Sequence, residues 1–101
     1  MAAPLTSRQR AHLRAIAHGL RPVVRVGHEG LAPAVVEAIR EAFNTRELIK
    51  VKALDTAPAN ARGIAEGIVE AIPEARVAQT IGRTVVLYRA DPENPEIELP
   101  D

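Results

Sequence analysis

The stretch "RPVVRVGHEGLAPAVVEAIREAF", residues 21 to 43, decides the fold, because it changes from a strand pattern to a helix pattern within a few residues. Its first part is short and β-branched and lies between a proline and a glycine, which predicts a strand centred on Val23 to Val26. Its second part has Pro33 in a first-turn position and a weak cap at Ala32, which offers no side-chain acceptor. The apolar residues recur at helical spacing: Val35, Val36, Ile39 and Phe43. A β-strand followed by an α-helix is predicted.

The segment before this unit, "LTSRQRAHLRAIAHGL", predicts another helix. Thr6 and Gln9 have the spacing of a capping box, so the helix should run from about Ser7 to His18, with Gly19 as a left-handed residue that ends it. Its apolar stripe would consist of Leu13, Ile16, Ala17 and Leu20.

The segments after residue 43 continue the alternation of strands and helices. "LIKVKAL", from Leu48 to Leu54, alternates apolar and basic residues, as in a strand with one basic face. "DTAPANARGIAEGIVEAI" predicts a helix capped by Thr56, with Pro58 in its first turn. "ARVAQTIGRTVVLYR" predicts two strands, residues 76–81 and 84–89, joined by a tight turn at Gly82-Arg83.

The predicted order is helix, strand, helix, strand, helix, strand, strand, which indicates an α/β (α+β) fold with a four-stranded mixed sheet packed by three helices. Residues 1–90 are expected to form a single domain. Residues 91–101 form an acidic tail with three prolines, expected to be extended or loosely attached.

Composition narrows the class of protein. Apolar residues at 47% and charged residues at 26% are typical of a globular domain, and the chain has no cysteine. No segment resembles a signal peptide or a membrane span, so we expect neither export nor insertion, and a cytoplasmic location. The net charge is zero, but residues 1–52 hold nine bases and four acids, whereas residues 53–101 hold four bases and nine acids. The charge is therefore split between the two halves of the chain.

The turn Gly27-His28-Glu29-Gly30 is a candidate binding loop, because it joins a strand to a helix N-terminus. The pattern alone favours a simple turn. It lacks the spacing of a P-loop and the third glycine of a dinucleotide site. Among ligands, the class that uses a short G-x-x-G turn is single-stranded or looped RNA, whose backbone such a turn clamps.

Basic residues support RNA as the ligand, although solvated faces explain most charge runs. They come from one helix and two strands of a small domain: Arg10, Arg14, Arg21, Arg25, Lys50 and Lys52. Phe43 and Tyr88 are the only aromatic residues, so a platform of stacking rings is not available. Phosphate contacts and shape should dominate, and binding should depend strongly on salt.

Catalysis and metal binding have little support. His28 and Glu29 are adjacent and have no nucleophile or orienting group nearby, and His12, His18 and His28 lack the spacing of a metal site. We expect no catalytic residue, metal or cofactor. The alternative to RNA binding is a protein-interaction adaptor whose basic half docks on an acidic partner; a small phosphate-handling enzyme is a distant third.

Three segments read in order resemble the CRM domain in its stand-alone bacterial form, the YhbY-like RNA-binding proteins. They are "LTSRQRAHLRAIAHGLRPVVRVGHEGLAPAVVEAI", "RELIKVK" and "IGRTVVLYR". The resemblance implies a fold similar to the C-terminal domain of translation initiation factor three. It also implies binding of rRNA in precursors of the large ribosomal subunit during assembly, without catalysis.

Carried onto this chain, the family's RNA-contacting loop falls on Gly27, His28, Glu29 and Gly30. The flanking basic surface would include Arg10, Arg14, Arg21 and Arg25, with Lys50 and Lys52 in support. We expect no membrane partner and no DNA specificity, and a monomer is favoured. Glu29 departs from the family pattern, in which this position is basic or neutral. Two further hypotheses are that the tail competes for the basic face, and that Gly30→Asp impairs binding more than stability.

Overall fold

A computed structural model describes residues 4–101 and contains three helices and four strands in the predicted order. The helices are α1 (Ser7–Ala17), α2 (Pro33–Phe43) and α3 (Ala61–Ala71), and the strands are β1 (Pro22–Val26), β2 (Leu48–Ala53), β3 (Arg76–Ile81) and β4 (Thr84–Tyr88). The sheet has the order β1-β2-β4-β3, in which β1 is parallel to β2 and the other pairs are antiparallel. The predicted α/β (α+β) fold with a mixed sheet is confirmed.

The helices cover both faces of the sheet. α2 and α3 pack on one face through a core that includes Ile39, Ile68 and Leu87. α1 packs on the other face, where Leu13 and the sheet residues beneath it form a smaller cluster. The alternation of β2 explains this division, since successive side chains point to opposite faces. One face of β2 enters the larger core, and Lys50 and Lys52 lie on the face of α1.

The first two helices begin as the sequence predicts. The Gln9 N–H donates to Thr6 Oγ1 at 3.1 Å, and the Thr6 N–H donates to Gln9 Oε1 at 3.0 Å, which completes the capping box. Pro33 occupies the first turn of α2, and Ala32 supplies no side-chain cap.

Two details of the helix ends differ from the prediction. Gly19 does not have a positive φ; among residues 4–101 only Gly30 and Gly82 do. α1 ends instead at His18, whose N–H donates to the Arg14 carbonyl at 3.1 Å. α3 begins four residues later than expected, because the Asn60 side chain accepts from the Gly63 N–H at 2.9 Å and takes the capping role assigned to Thr56.

The acidic tail is extended but firmly packed. The buried carboxylate of Glu47, which lies just before β2, accepts from the N–H groups of Asp91 (2.7 Å), Glu96 (2.8 Å) and Ile97 (2.8 Å). Ile97 and Leu99 then pack against the α1 cluster, as the only apolar residues available in the tail. Of the two predicted alternatives, extended or loosely attached, loose attachment is wrong, because Glu47 accepts hydrogen bonds from three backbone N–H groups of the tail.

Candidate functional site

A row of four side chains crosses the sheet on the α1 face, beyond the point where α1 ends. Arg25 on β1 pairs with Lys52 on β2, Lys52 pairs with Thr84 on β4, and Thr84 pairs with Ile81 on β3. Neighbouring strands are about 4.8 Å apart, so the row spans about 14 Å. We call these four residues the open strip, since Arg25, Lys52 and Ile81 are exposed and Thr84 is half-buried.

A groove lies between the end of α1 and the open strip. Its volume is about 730 Å³, and its lining includes Arg14, His18 and Lys50 as well as Ile81 and Thr84. Arg14 and His18 are four positions apart on α1, so they share one face of the helix, and both line this groove. Cationic side chains from α1 and β2 therefore meet above the sheet, next to the open strip.

Lys50 and Arg21 extend the cationic surface toward the start of β1. The Lys50 ammonium donates to the Leu20 carbonyl at 3.0 Å and is half-buried, so it fixes the α1–β1 connection as well as adding charge. Arg21 is exposed and precedes Pro22, which pairs with Lys50. Lys50 lines the groove, Arg21 lies just before β1, and neither belongs to the open strip.

The turn Gly27–Gly30 follows β1 directly and lies at the same end of the sheet as the open strip. The Gly30 N–H donates to the Gly27 carbonyl at 3.0 Å, which closes a β-turn with His28 and Glu29 at its corner. Both corner side chains are exposed, and within residues 4–101 neither forms a hydrogen bond or an ion pair. The turn therefore presents its corner to solvent.

Packing against α3 and the segment before it fixes the turn. Gly30 is buried with φ of +65°, and a Cβ on it would lie 3.0 Å from Pro58 Cγ. The next residue, Leu31, packs over α3 where Gly67 leaves room: a Cβ on Gly67 would lie 2.6 Å from Leu31 Cδ1. Gly67 thus permits a close approach of the residue after the turn to α3. The position of the turn depends on residues about thirty positions away in the sequence.

Arg10 lies apart from the other basic residues. Its guanidinium donates to the Leu5 carbonyl at 2.8 Å and to Ser7 Oγ at 3.2 Å, at the start of α1. It lines a second groove, of about 630 Å³, along the edge strand β3 with Arg14 and Arg62. The structure therefore brings four of the six predicted basic residues to the groove and open strip. Arg21 lies just before β1, outside both, and Arg10 lies near the opposite end of α1.

The tail runs along the flank of α1 away from the groove. Gln9 Nε2 donates to the Pro100 carbonyl at 3.1 Å, and Ile16 shares a depression with Glu96 and Ile97. Gln9 and Ile16 are seven positions apart and lie on one side of the helix, whereas Arg14 faces the other side. The hypothesis that the tail occupies the basic face is wrong in this structure, because the tail is held where Glu47 anchors it.

Sequence reasoning did not single out Thr84 and Ile81. The two-residue turn at Gly82-Arg83 was enough to place Ile81 opposite Thr84, as in any tight hairpin. The further pairing of Thr84 with Lys52 depends on the register between β2 and β4, which no local pattern sets. For that reason the sequence alone could not show that the four residues of the open strip form one row.

The ionisable groups of residues 4–101 include no set of three or more His, Asp or Glu side chains that could hold a metal ion. In the same part of the chain, no helix is both long and apolar enough to cross a membrane.

The fold and the strip define a small α/β domain with a cationic, partly open sheet face and an exposed glycine-bounded turn at its edge. The model of the CRS1/YhbY (CRM) domain matches residues 5–89. The chain therefore belongs to the CRS1/YhbY (CRM) domain family.

Relatives match over nearly the whole chain. The chain is 41% identical to the probable RNA-binding protein YqeI of Bacillus subtilis over 96 residues, which cover 95% of this chain and 99% of that protein. It is also 41% identical to an RNA-binding protein of Haemophilus influenzae, over 95% of each chain. The solution structure of a hypothetical protein from Staphylococcus aureus superposes with a TM-score of 0.80 at 36% identity, covering 95% of this chain and 99% of that one.

Proposed function

We propose that this protein binds RNA through the open strip, the adjoining groove and the Gly27–Gly30 turn. The observation that carries the proposal is the meeting of Arg25 and Lys52 on an uncovered part of the sheet. Phosphate groups are the natural partner of such a surface, since unpaired guanidinium and ammonium groups attract them and release counterions on binding. The names of the relatives in Bacillus subtilis and Haemophilus influenzae support RNA as the polyanion.

The charges on the two faces of the domain support RNA binding on the side of the open strip. The outer surfaces of α2 and α3 expose four glutamates and two arginines: Glu37, Glu41, Glu66, Glu70, Arg40 and Arg62. The face of the open strip carries mainly arginine and lysine. A polyanion approaching the domain is therefore attracted to the groove and the open strip and repelled on balance by the outer surfaces of α2 and α3.

The turn completes the surface at the end of β1. Its backbone at His28 and Glu29 lies at an exposed corner, where amide groups can face a phosphate. The carboxylate of Glu29 is free of any partner within residues 4–101, so it can rotate away from the ligand at little cost. The backbone, rather than the two corner side chains, is the part of the turn proposed to contact RNA.

The finer proposal is that the RNA is rRNA in precursors of the large ribosomal subunit, bound in the cytoplasm by a monomer during assembly. The resemblance to the YhbY-like proteins supports it. Crosslinking in cells, followed by sequencing of the bound RNA and sedimentation of the protein through a ribosome gradient, tests it. Enrichment of large-subunit rRNA and co-sedimentation with precursor particles are expected; a protein confined to the top of the gradient contradicts the assembly role.

The direct test of the RNA site compares two double variants of equal charge. Arg25→Ala/Lys52→Ala removes two cations of the open strip, and Arg8→Ala/Arg46→Ala removes two exposed cations that lie outside the strip and the groove. Binding of a labelled RNA hairpin at about 0.1 M salt should fall about 10- to 100-fold in the first variant and little in the second. The slope of log K against log salt should decrease by about 2 in the first variant only.

Equal losses in the two variants would mean that net charge, not the strip, governs binding. If the wild-type protein bound no RNA yet retained an acidic protein partner through Arg25 and Lys52, the adaptor alternative would replace the proposed function.

A further inference from the structure

Ile81 is the most exposed large apolar residue among residues 4–101. Four such residues have substantially exposed side chains there: Ile16 (40%), Val23 (38%), Leu54 (38%) and Ile81 (60%). Ile81 ends the open strip, in the same row as Lys52 and Arg25. Ile81 is thus a large apolar side chain exposed to water beside two cations. Phosphate binding alone does not explain it.

The groove beside Ile81 continues the apolar surface. Its lining includes Ala15 and Ala17 of α1 and Val86 of β4, next to the charged groups of Arg14 and Lys50. Its volume of about 730 Å³ lies within the range of sites that hold small organic groups. The lining therefore combines apolar and cationic groups, which matches a ligand that has both a flat apolar part and an anionic part.

Unpaired RNA has that combination, whereas duplex RNA does not. In a duplex the faces of the bases are stacked on one another, and the protein meets only phosphates, 2′-hydroxyls and base edges. In an unpaired segment a base can turn out and cover an apolar side chain. Ile81 lies about 10 Å from Lys52, two strands away, so a backbone held by Lys52 and Arg25 can direct a base toward it.

We propose that Ile81 and the groove receive an unstacked nucleobase, so that the ligand of this surface is an unpaired RNA segment rather than a duplex. The proposal rests on the proposed function and names the class of RNA that the same site selects. Arg25 and Lys52 hold the backbone without regard to sequence, and Ile81 supplies the contact that a paired base cannot make. Selection of unpaired RNA thus comes from an aliphatic side chain, in a domain with no exposed aromatic ring to serve instead.

The test uses two RNA probes and one matched pair of variants. The probes are a twelve-nucleotide RNA without self-complementarity and the same RNA annealed to its complement. The variants are Ile81→Thr, which keeps the β-branched shape but removes apolar surface, and Ile16→Thr, which makes the same change at an exposed site on the tail side of α1. Thermal unfolding of both variants confirms that each is folded at the temperature of the binding assay.

The wild-type protein should bind the unpaired probe at least about 10-fold more tightly than the duplex. Ile81→Thr should weaken binding of the unpaired probe about 5- to 10-fold, leave the duplex unchanged and leave the salt slope unchanged, because no phosphate contact is lost. Ile16→Thr should have little effect on either probe. The separation of affinity from salt slope distinguishes a base contact from a charge contact.

Ile81→Lys provides a second test in the opposite direction. If the strip only attracts phosphate, the added cation should tighten binding of both probes; if Ile81 covers a base, the preference for the unpaired probe should fall. Equal wild-type affinity for the two probes, together with an unchanged Ile81→Thr variant, would overturn the inference while leaving RNA binding intact. Failure of the wild-type protein to bind either probe would instead remove the proposed function on which the inference rests.

Discussion

Alanine substitution at Gly27 and Gly30, the two ends of the turn, should show which of the two glycines the stability of the domain requires. Gly30 has φ of +65°, where an alanine costs about 1–2 kcal/mol, and its Cβ would lie 3.0 Å from Pro58 Cγ. Alanine also restricts the unfolded chain, which offsets about 0.4–1 kcal/mol. Because the ring of Pro58 cannot rotate away as a flexible chain would, we expect Gly30→Ala to lower the free energy of unfolding by about 1–2 kcal/mol.

Gly27→Ala is the matched control for Gly30→Ala. A Cβ on Gly27 would lie 3.8 Å from Thr56 Oγ1 and 4.0 Å from Leu54 Cδ1, which is ordinary van der Waals contact. Its φ is not positive, so alanine adopts the same backbone without strain. The free energy of unfolding should change by no more than about 0.5 kcal/mol.

Thermal unfolding followed by circular dichroism measures both effects. At about 4–8 °C per kcal/mol for a domain of this size, the midpoint of Gly30→Ala should fall by about 5–15 °C and that of Gly27→Ala by a few degrees at most. Gly30→Asn should lie between wild type and alanine, since asparagine tolerates the left-handed conformation better. Equal midpoints for the two alanine variants would refute the described packing of Gly30 against Pro58. The same φ and the same contact with Pro58 lead us to expect that Gly30→Asp also lowers stability, in addition to the loss of binding predicted from the sequence.

Two further predictions concern single carboxylates. Burial raises the pKa of Glu47, but hydrogen bonds from the N–H groups of Asp91, Ile97 and Glu96 together lower it by more. The folded pKa therefore lies below the ordinary value of 4.5. The stabilisation is therefore complete above pH 4.5 and lost as the pH falls through the lower folded value. At pH 7 the free energy of unfolding of Glu47→Gln should lie about 1–2 kcal/mol below that of wild type, and the difference should shrink in acid. A difference that persists unchanged in acid would contradict the role of the ionised carboxylate. Glu29→Gln should tighten RNA binding about 2- to 5-fold at low salt and progressively less at high salt, in a titration by fluorescence anisotropy, because it removes a negative charge near the ligand; weaker binding would show that the Glu29 side chain itself contributes a contact.

Local chemistry explains which parts of the fold were predictable. Thr6 and Gln9 satisfy each other's backbone groups within one turn, so the start of α1 needs no distant partner. The start of α3 was predicted wrongly, because the cap was assigned to Thr56 and the structure gives it to Asn60. The Ala57 N–H donates to the Leu54 carbonyl at 3.0 Å, which makes a separate turn before the helix and leaves the cap to Asn60.

The candidate site was only partly predictable for a different reason. Basic residues could be counted and assigned to elements, but α1 separates them in space. Arg14 and Lys50 reach the groove, whereas Arg10 lies about one helical turn earlier, about 6 Å from Arg14 along the axis, and is tied to Leu5 and Ser7. The length of α1 and its position on the sheet together determine which cations remain uncovered. The sequence predicts the length of the helix but not its position on the sheet.

The sequence by itself determined the order of helices and strands, the basic face of β2 and the turn after β1, because periodicity, capping and glycine placement act within a few residues. The tertiary structure alone decided that Arg25, Lys52, Thr84 and Ile81 form one row, since that row depends on the register of three strand pairs. It also decided that the acidic tail lies on the far flank of α1, because a single buried carboxylate, Glu47, binds three backbone N–H groups from a segment more than forty residues away. Contacts between residues distant in sequence carry no local pattern, and they become visible only when the chain is folded.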